Sequence, residues 1–344
     1  MSQTGTKFKS DADMQAVLDA LAALHGKPIE TLDAQEARKQ PSPADAVKAI
    51  LQQRGKDAAP TALVPGVTSK DMTIPGPATA LPVRVYTPAG AGPFPLIVYY
   101  HGGGWVIADK DTYDGGARGL SKQGNAVVLS VDYRRAPEAK FPAQHDDAFA
   151  AYQWASANAA SINADPARIA LAGESAGGNL AVATAIAARD AGGPQPVHVL
   201  SVYPIAQVSD FGTPSYRDGE NAKPLNKAMM KWFVDKTIST PADARDWRLD
   251  LVHANLKGLP PVTMVNAQID PLRSDGDMLA AALKKAGVKI EHNTYSAVTH
   301  EFFGMAAVVA KAQQAQQFAG QRLRQSFAAS QSAVKNPNAR LSAN

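Results

Sequence analysis

The stretch Ile169-Ala-Leu-Ala-Gly-Glu-Ser-Ala-Gly-Gly-Asn179 joins an apolar run to the alanine-rich segment 180–189. The apolar run is typical of a buried strand, and the segment that follows is typical of a helix. Ser175 lies between Gly173 and Gly177, which allow a sharp turn because they carry no side chain. The free N–H groups at the start of the helix would face a negative charge that develops beside the serine. The stretch therefore predicts a nucleophilic serine at the end of a strand.

Two other interpretations of this turn compete with the first. A dinucleotide-binding loop needs a glycine at the position of Ser175, and a P-loop needs the sequence Gly-Lys-Ser/Thr, so both are disfavoured. A turn of small residues that only packs the helix on the strand is the remaining alternative. It loses support if partners for the serine are found elsewhere in the chain.

A second glycine-rich motif, His101-Gly-Gly-Gly-Trp105, follows the apolar run at residues 96–100. Three successive glycines let backbone N–H groups turn toward a carbonyl oxygen, which predicts an oxyanion loop, although the motif alone also fits a flexible loop. We predict that Gly102 makes the turn and that His101 anchors the loop. The predicted oxyanion donors are Gly103, Gly104 and Ala176.

A catalytic serine requires a base and an acid, and in this motif class they follow the serine in the order acid, then histidine. That order excludes the histidines before the serine, which are His25, His101 and His145. His300 follows a predicted strand in a loop, where the catalytic groups of parallel sheets are found. The other later histidines open, precede or lie within strands and are predicted to be structural; they are His198, His253 and His292.

Asp270 is the predicted acid because it closely follows the apolar strand predicted at residues 262–266. Asp275 and Asp277 begin the next helix, where a carboxylate complements the helix dipole. The predicted catalytic set is therefore Ser175, Asp270 and His300.

The 344-residue chain has the composition of an ordinary globular protein, with 45% hydrophobic and 19% charged residues. The absence of cysteine excludes a disulfide framework, a cysteine zinc site and a thiol nucleophile. The net charge of +4 arises late in the chain, where five cations and no acid follow Glu301: Lys311, Arg322, Arg324, Lys335 and Arg340. Their wide spacing favours a solvated helix face and argues against a nucleic-acid partner.

No apolar run approaches the length of a membrane span, and the first ten residues lack the apolar centre of a signal peptide. We expect a cytoplasmic protein, with a secretion leader removed before residue 1 left open as the alternative.

The sequence divides into three parts. Residues 1–55 are predicted to form a separate helical lid or arm rather than part of the core. Residues 56–328 alternate apolar strands with helices, which predicts an α/β domain with a mainly parallel sheet, interrupted by an insertion over the sheet edge at about 206–240. Residues 329–344 are rich in Ser, Asn and Ala and are predicted to be a disordered tail.

The individual elements of the α/β domain follow from hydrophobic periodicity. The predicted strands cover residues 83–86, 96–100, 126–131, 169–172, 199–203, 262–266 and 289–295. The predicted helices cover residues 147–157, 180–189, 227–237, 276–286 and 303–326.

Together these motifs resemble the bacterial hormone-sensitive-lipase-like branch (family IV) of the α/β-hydrolase esterases. The resemblance spans about residues 80–310 and rests on HGGGW at 101–105, DYRRAPE at 132–138, FPA at 141–143, GESAGGNLA at 173–181, DPLR at 270–273 and His300. It implies an α/β-hydrolase fold, with an eight-stranded, mainly parallel sheet covered by helices on both faces. The same resemblance implies a helical cap over the acyl pocket, built from residues 1–55 and the insertion at about 206–240. It also implies carboxylesterase activity on small acyl esters without a metal or an organic cofactor.

Four positions depart from the pattern of that family. Glu174 stands where Asp or Thr is more common, and Arg135 stands where Leu is usual. Ser274 and Glu301 replace a common Asp and a common Gly. None of these changes removes a predicted catalytic group.

The motifs and the resemblance predict a serine carboxylesterase that hydrolyses short- to medium-chain acyl esters through an acyl-enzyme intermediate. Its pocket is predicted to be lined by Trp105, Phe211 and Phe302, with Tyr216, Trp232 and Phe233 as further candidates. A non-catalytic small-molecule receptor on the same scaffold, a lipase, a lactonase and an amidase are the alternatives, and a homodimer is left open. The receptor is disfavoured because serine, acid and histidine are all present.

Overall fold

The computed structural model describes residues 7–335, and eight strands in it form a single sheet. The strands are β1 (Val67–Ile74), β2 (Leu81–Pro88), β3 (Phe94–Tyr100), β4 (Val127–Val131), β5 (Ala164–Glu174), β6 (His198–Val202), β7 (Val262–Ile269) and β8 (Ile290–Thr299). Their order across the sheet is β1-β2-β4-β3-β5-β6-β7-β8. β2 is antiparallel to both of its neighbours, and every pair from β4 to β8 is parallel. The predicted eight-stranded, mainly parallel sheet is confirmed.

Helices connect the strands and also precede them. They are α1 (Ala12–Ala23), α2 (Ala34–Ala37), α3 (Pro43–Gln53), α4 (Pro60–Leu63), α5 (Asp114–Gly124), α6 (Ala143–Asn158), α7 (Ala176–Asp190), α8 (Pro214–Asp218), α9 (Lys227–Thr237), α10 (Arg273–Lys285) and α11 (Ala310–Lys335). Short 3₁₀ turns lie at Ile29–Thr31, Ala159–Ile162, Pro241–Arg245 and Phe302–Met305.

The sheet is covered on both faces, so its central strands are buried along their whole length. In β3 all seven residues are buried, and alternate side chains enter two different hydrophobic clusters, as the pleat of a strand requires. One cluster contains the apolar faces of α6, α7 and α10, and the other contains those of α5 and α11. This burial explains why the central strands read as continuous apolar runs in the sequence.

Among the elements that the sequence did not predict, β1 and α5 are those with an atypical composition. β1 is an edge strand in which only Val67 and Ile74 are buried, so it has little hydrophobic signal. α5 is rich in glycine, which disfavours a helix. Its glycines allow close packing, because a Cβ atom at Gly116 would clash with Glu174 and one at Gly119 would clash with Gln316.

The predicted boundary of the C-terminal tail is wrong. α11 begins at Ala310, later than the predicted 303, and extends to Lys335, so residues 329–335 are helical. One face of this helix packs into the core through Ala319, Leu323 and Phe327. Residues 336–344, the rest of the predicted tail, lie outside the described residues.

The N-terminal segment is not a separate arm. α1 and α3 bury Met14, Val17, Ile50 and Leu51 in the same cluster as the apolar face of α11. The backbone N–H of Asp11 also donates to the carbonyl oxygen of Ala297 at 2.9 Å. The segment therefore contributes to the core as well as covering the sheet edge.

The insertion is longer than the predicted 206–240. The chain between β6 and β7 runs from 203 to 261 and includes α8, α9 and the 3₁₀ turn Pro241–Arg245. Tyr216, Met230 and Phe233 are buried in it, which fixes this region against the sheet.

Candidate active site

Ser175 occupies a strained turn between β5 and α7. Its φ of 57° and ψ of −117° lie outside the regions that L-residues usually adopt, and strain of this kind is concentrated at functional sites. A Cβ atom at Gly173 would clash with the carbonyl oxygen of Gly177, and one at Gly177 would clash with that of Tyr100. The two glycines are therefore required by the close approach of β3, β5 and α7.

The structure brings the serine, the histidine and the acid of the sequence prediction together. His300 Nε2 lies 2.9 Å from Ser175 Oγ, and His300 Nδ1 lies 2.7 Å from Asp270 Oδ2. The other oxygen of Asp270 accepts a hydrogen bond from the backbone N–H of Leu272 at 2.8 Å. The three residues follow the carboxyl ends of β5, β7 and β8 and are at most 4% exposed.

The electrostatic surroundings favour the protonated form of His300. Burial alone would lower its pKa, but the charge and hydrogen bond of Asp270 act in the opposite direction. Glu301 and Glu174 add smaller effects of the same sign, and the pKa of His300 is raised above its ordinary value. The site can therefore stabilise an imidazolium that forms when the histidine accepts a proton.

The glycine loop after β3 faces the same space as Ser175. Gly103 has a φ of 90° and Gly104 a φ of 58°, so these two residues make the turn predicted for Gly102. A Cβ atom at Gly102 would instead clash with the hydroxyl of Tyr113, which explains the third glycine by close packing. Among residues 7–335, no protein acceptor pairs with the N–H groups of Gly103 and Gly104.

The remaining predicted members of the loop lie next to it. Ala176 is the first residue of α7, where the N–H groups have no partner within the helix. His101 stacks on the ring of Tyr133 with 4.3 Å between ring centroids, and its Nδ1 lies 2.8 Å from the carbonyl oxygen of Gly102. His101 thus anchors the loop, as predicted from its sequence position.

A largely apolar cavity of about 460 Å³ opens above these groups. Ser175 and His300 lie at its floor together with Gly103 and Gly104. The N-terminal segment contributes Leu18, Leu21 and Ile29 to its walls, and the insertion contributes Leu225, Met230 and Phe233. Both segments that the sequence predicts to be cap therefore contribute to the walls of this cavity.

Comparison with known proteins shows which family this arrangement belongs to. A family model described as the α/β-hydrolase fold matches residues 97–304. The chain belongs to the hormone-sensitive-lipase-like α/β-hydrolases. The carboxylesterase NlhH of Mycobacterium tuberculosis is 40% identical over 242 residues, which are 69% of this chain and 76% of NlhH.

Two further relatives extend the similarity over more of the chain. Esterase LipI of Mycobacterium tuberculosis is 36% identical over 79% of this chain and 86% of its own length. The hyperthermophilic esterase from the archaeon Pyrobaculum calidifontis is 32% identical and has a TM-score of 0.83, with 92% of this chain and 98% of that chain covered. The structural similarity therefore extends over most of the chain.

Three aromatic residues predicted to line the pocket of this α/β-hydrolase are not part of its wall. Trp105 takes a φ of 63° and is fully buried near His145. Phe302 is buried between Tyr203 and Tyr295, 6.0 and 5.6 Å away between ring centroids. Both side chains are fully buried in the core, and neither lines the cavity.

Phe211 packs edge-on against Tyr216, with 5.4 Å between ring centroids, and neither ring lines the cavity. Trp232 donates from Nε1 to the carbonyl oxygen of Leu32 and also lies outside the wall. Only Phe233 among the six aromatic candidates lines the cavity. The aliphatic wall residues carried no sequence signal, because their role depends on how α1 and α9 pack.

Two of the other histidines, His145 and His198, are held by buried structural contacts. His198 lies 2.9 Å from Ser326 Oγ and 3.0 Å from Thr263 Oγ1, and His145 lies 2.9 Å from Asn179 Oδ1. Burial lowers the pKa of His145 and that of His198 to about 4. Both are neutral at physiological pH and have no contact with Ser175.

Asp275 does more than complement the dipole of α10. It is fully buried and accepts hydrogen bonds from the backbone N–H groups of Ala206 and Gln207, at 3.1 and 3.3 Å. Burial raises its pKa to about 7. Asp275 therefore holds the start of the insertion, a role that sequence position alone does not reveal.

The four departures from the family pattern all make specific contacts. Glu174 is buried and accepts hydrogen bonds from the hydroxyls of Tyr99, at 2.5 Å, and Tyr203, and burial raises its pKa to about 7. Glu301 accepts a hydrogen bond from the hydroxyl of Tyr113 at 2.5 Å.

The other two departures lie farther from the serine. Arg135 donates to the carbonyl oxygen of Ala108 at 2.6 Å. Ser274 accepts a hydrogen bond from the N–H of Ser215, and its own N–H donates to the hydroxyl of Ser215. None of the four interrupts the chain of hydrogen bonds from Ser175 to Asp270.

Residues 7–335 contain no helix of the length and hydrophobicity that a membrane span requires. The same residues hold no group of three or more histidines and carboxylates placed to bind a metal ion.

Proposed function

We propose that this α/β-hydrolase is a serine carboxylesterase that hydrolyses small, short- to medium-chain acyl esters through an acyl-enzyme intermediate. The observation that carries the proposal is the hydrogen-bonded chain from Ser175 through His300 to Asp270 at the floor of an apolar cavity. Carboxylesterase NlhH and esterase LipI, which share more than a third of their aligned residues with this chain, support the same reaction class.

Acylation begins with proton transfer from the serine. Serine is a weak nucleophile at its own pKa, so His300 Nε2 accepts the proton of Ser175 Oγ as that oxygen attacks the ester carbonyl. Asp270 holds Nδ1 of the ring, which fixes the tautomer with Nε2 free to accept, and it stabilises the imidazolium that forms. The imidazolium then donates its proton to the departing alcohol.

The tetrahedral intermediate carries a negative charge on the former carbonyl oxygen. The N–H groups of Gly103, Gly104 and Ala176 are the donors that we assign to this oxygen, because the two glycines line the cavity with Ser175 and Ala176 follows the serine at the start of α7. A donor of this kind contributes about 3 kcal/mol to transition-state stabilisation. Water repeats the sequence with His300 as the base, which releases the acid and restores the serine.

The cap determines which esters enter. The apolar walls from α1 and α9 suit acyl chains, and a cavity of about 460 Å³ suits a small ligand. Since the N-terminal segment and the insertion both close over the serine, a small ester fits the site better than a large triacylglycerol. We therefore assign residues 7–55 and the insertion as the cap that sets the chain-length limit.

A chain-length series of p-nitrophenyl esters, from acetate to palmitate, tests the proposal. We expect the highest kcat/KM for short and medium chains, and loss of turnover in Ser175→Ala. An organophosphate should add to Ser175 and be located there by mass spectrometry. The exposed Ser161→Ala is the matched control and should retain activity. An adduct at another residue, or full activity of Ser175→Ala, would reject serine catalysis.

A cytoplasmic location and a homodimer stay predictions for this chain. Cell fractionation and size-exclusion chromatography with light scattering would test them.

A further inference from the structure

The residue after His300 has an unusual backbone. Glu301 adopts a φ of 71° and a ψ of −1°, in the left-handed region. This conformation costs a residue with a Cβ atom about 1–2 kcal/mol, whereas glycine adopts it freely. A glutamate at this position persists only if its surroundings hold it there.

The contact that holds Glu301 is a short hydrogen bond. The hydroxyl of Tyr113, a buried residue directly before α5, donates to Glu301 Oε1 at 2.5 Å. Among residues 7–335 no Lys or Arg forms an ion pair with this carboxylate. Its negative charge is therefore not compensated by a neighbouring cation.

Glu301 also occupies a specific place in the site. Together with Tyr113 it lines the cavity that contains Ser175 and His300. The same two residues line a second cavity of about 880 Å³, bounded by α3 and α5. The Tyr113–Glu301 pair thus borders both spaces, and Glu301 directly follows His300 in the loop after β8.

Other titratable groups face His300 from neighbouring elements. Asp270, after β7, holds Nδ1, and Glu174 lies at the end of β5. The ring of Tyr203, after β6, lies 4.5 Å from that of His300 between centroids. Burial raises the pKa of Tyr203 well above its ordinary value, as it does for Tyr113, so both phenols stay neutral.

Burial raises the pKa of both glutamates near His300. Burial raises the pKa of Glu174 to about 7, so this carboxyl is partly protonated near neutral pH. Burial also raises the pKa of Glu301, while the neighbouring His300 and the Tyr113 hydroxyl lower it. Both carboxyls are therefore harder to ionise than a free glutamate, and at Glu301 the nearby His300 and the Tyr113 hydroxyl favour the ionised form against this effect of burial.

We propose that Glu301 is a positioning residue for His300, whose carboxylate adds a second negative charge to that of Asp270 and so moves the acid limit of ester hydrolysis to higher pH. This inference rests on the proposed function for its kinetic consequence. The free base is the active form of the histidine, so activity falls as the pH drops through the pKa of His300. Removing a negative charge beside the ring makes the free base persist to lower pH.

The test compares Glu301→Gln, Glu301→Gly and Tyr113→Phe with the wild type in pH profiles of kcat/KM for p-nitrophenyl butyrate. We expect the acid limb of Glu301→Gln to move to lower pH by about half to one unit, since an opposite charge nearby shifts a pKa by that order. Glu301→Gly should move the limb as far. Tyr113→Phe should move it less, because loss of the donor makes Glu301 easier to protonate. The exposed Asp190→Asn, at the end of α7, is the control and should leave the profile unchanged.

A second readout separates this inference from the proposed function. In the Ser175→Ala background, NMR of ¹³C-labelled histidine gives the titration midpoint of His300, assigned by its absence in His300→Ala. The midpoint should fall in Glu301→Gln whether or not the protein hydrolyses esters. Coincident midpoints with and without the Glu301→Gln change, or a shift seen only with Glu301→Gly, would overturn the role of the charge. If Glu301→Gln does not fold by circular dichroism, an unchanged midpoint in Tyr113→Phe would overturn it instead.

Discussion

The floor of the cavity and its roof are held by different kinds of contact. The floor contains Ser175, His300 and the glycine loop, and the roof consists of residues 7–55 and the insertion between β6 and β7. On the floor, Ser175, Asp270 and His300 follow strand ends, so the register of β5, β7 and β8 fixes their backbone positions. In the roof, single side chains join segments that are far apart in the sequence, such as Arg38 and Glu138. Changes to the floor should therefore act mainly on kcat, and changes to the roof mainly on KM and chain-length preference.

The pKa values of carboxyl groups in the two regions are shifted in opposite directions. Burial under the floor raises the pKa of Glu174 to about 7, whereas the hydrogen bond from Arg38 lowers the pKa of the more exposed Glu138 to about 2. The floor therefore holds a carboxyl that resists ionisation, and the roof uses an ionised carboxylate as a point of attachment.

The largest expected effect concerns the acid of the floor. Asp270→Asn should fold and should lower kcat by about 10⁴, because the amide favours the wrong tautomer of His300. Asp275→Asn should lower the melting temperature, since the carboxylate holds the start of the insertion, but should keep kcat within about tenfold of wild type. Steady-state kinetics with active-site titration, beside thermal unfolding of both variants, give the comparison. The reverse pattern would mean that the acid is Asp275.

The floor could be predicted from sequence because each of its parts is a local motif. The turn around Ser175 and the loop that contains Gly103 and Gly104 need small residues at fixed positions for steric reasons. A single sequence is enough to recognise those residues. Asp270 and His300 can be found because parallel strands place their carboxyl ends at one edge.

The roof could not be predicted in the same way, because its wall depends on packing between distant helices. Trp105 and Phe302 are aromatic and close to catalytic residues in sequence, yet both are core residues. Leu18 and Met230 line the cavity without any distinguishing pattern. The burial of Met14 also escapes prediction, because the helices at residues 10–55 are polar and amphipathic in sequence, which predicts a segment separate from the core.

A medium effect is expected for the stability of the floor. The pKa of Glu174 is raised by folding to about 7, above its ordinary value of 4.5, so the fold favours the protonated carboxyl. This contribution to the free energy of unfolding is complete below about pH 4.5 and is lost as the pH rises through 7. Relative to Glu174→Gln, which cannot ionise, the wild type should lose about 3 kcal/mol between pH 4.5 and pH 8.

Urea denaturation of both proteins at pH 5 and pH 8 measures this difference, with Glu220→Gln as the control. A difference in free energy of unfolding that is the same at both pH values would show that Glu174 does not titrate in this range. The contribution of Glu174 to the free energy of unfolding would then be independent of pH between 5 and 8.

The smallest effect is expected in the roof, at Arg38. Its Nε donates to the carbonyl oxygen of Val106, its Nη2 to that of Ala136, and its two Nη atoms to Glu138, all at 2.6–2.8 Å. The Arg38–Glu138 pair is partly exposed, so its loss is a small effect. We expect Arg38→Met to weaken substrate binding under the cap by about 1 kcal/mol, which is a rise in KM of about fivefold. Arg38→Lys should behave almost like methionine, because one ammonium cannot replace a planar group with several donors.

Val106 makes this variant the sharpest test of the contrast between floor and roof. It lies two residues after Gly104, so Arg38 contacts the loop that supplies the oxyanion donors as well as the cap. If the two regions act independently, kcat for p-nitrophenyl butyrate and octanoate stays within about twofold while KM rises for both. The exposed neighbour Lys39→Met should change neither constant. A fall in kcat as large as the rise in KM would contradict the separation, because it would mean that the roof positions the oxyanion loop through Arg38.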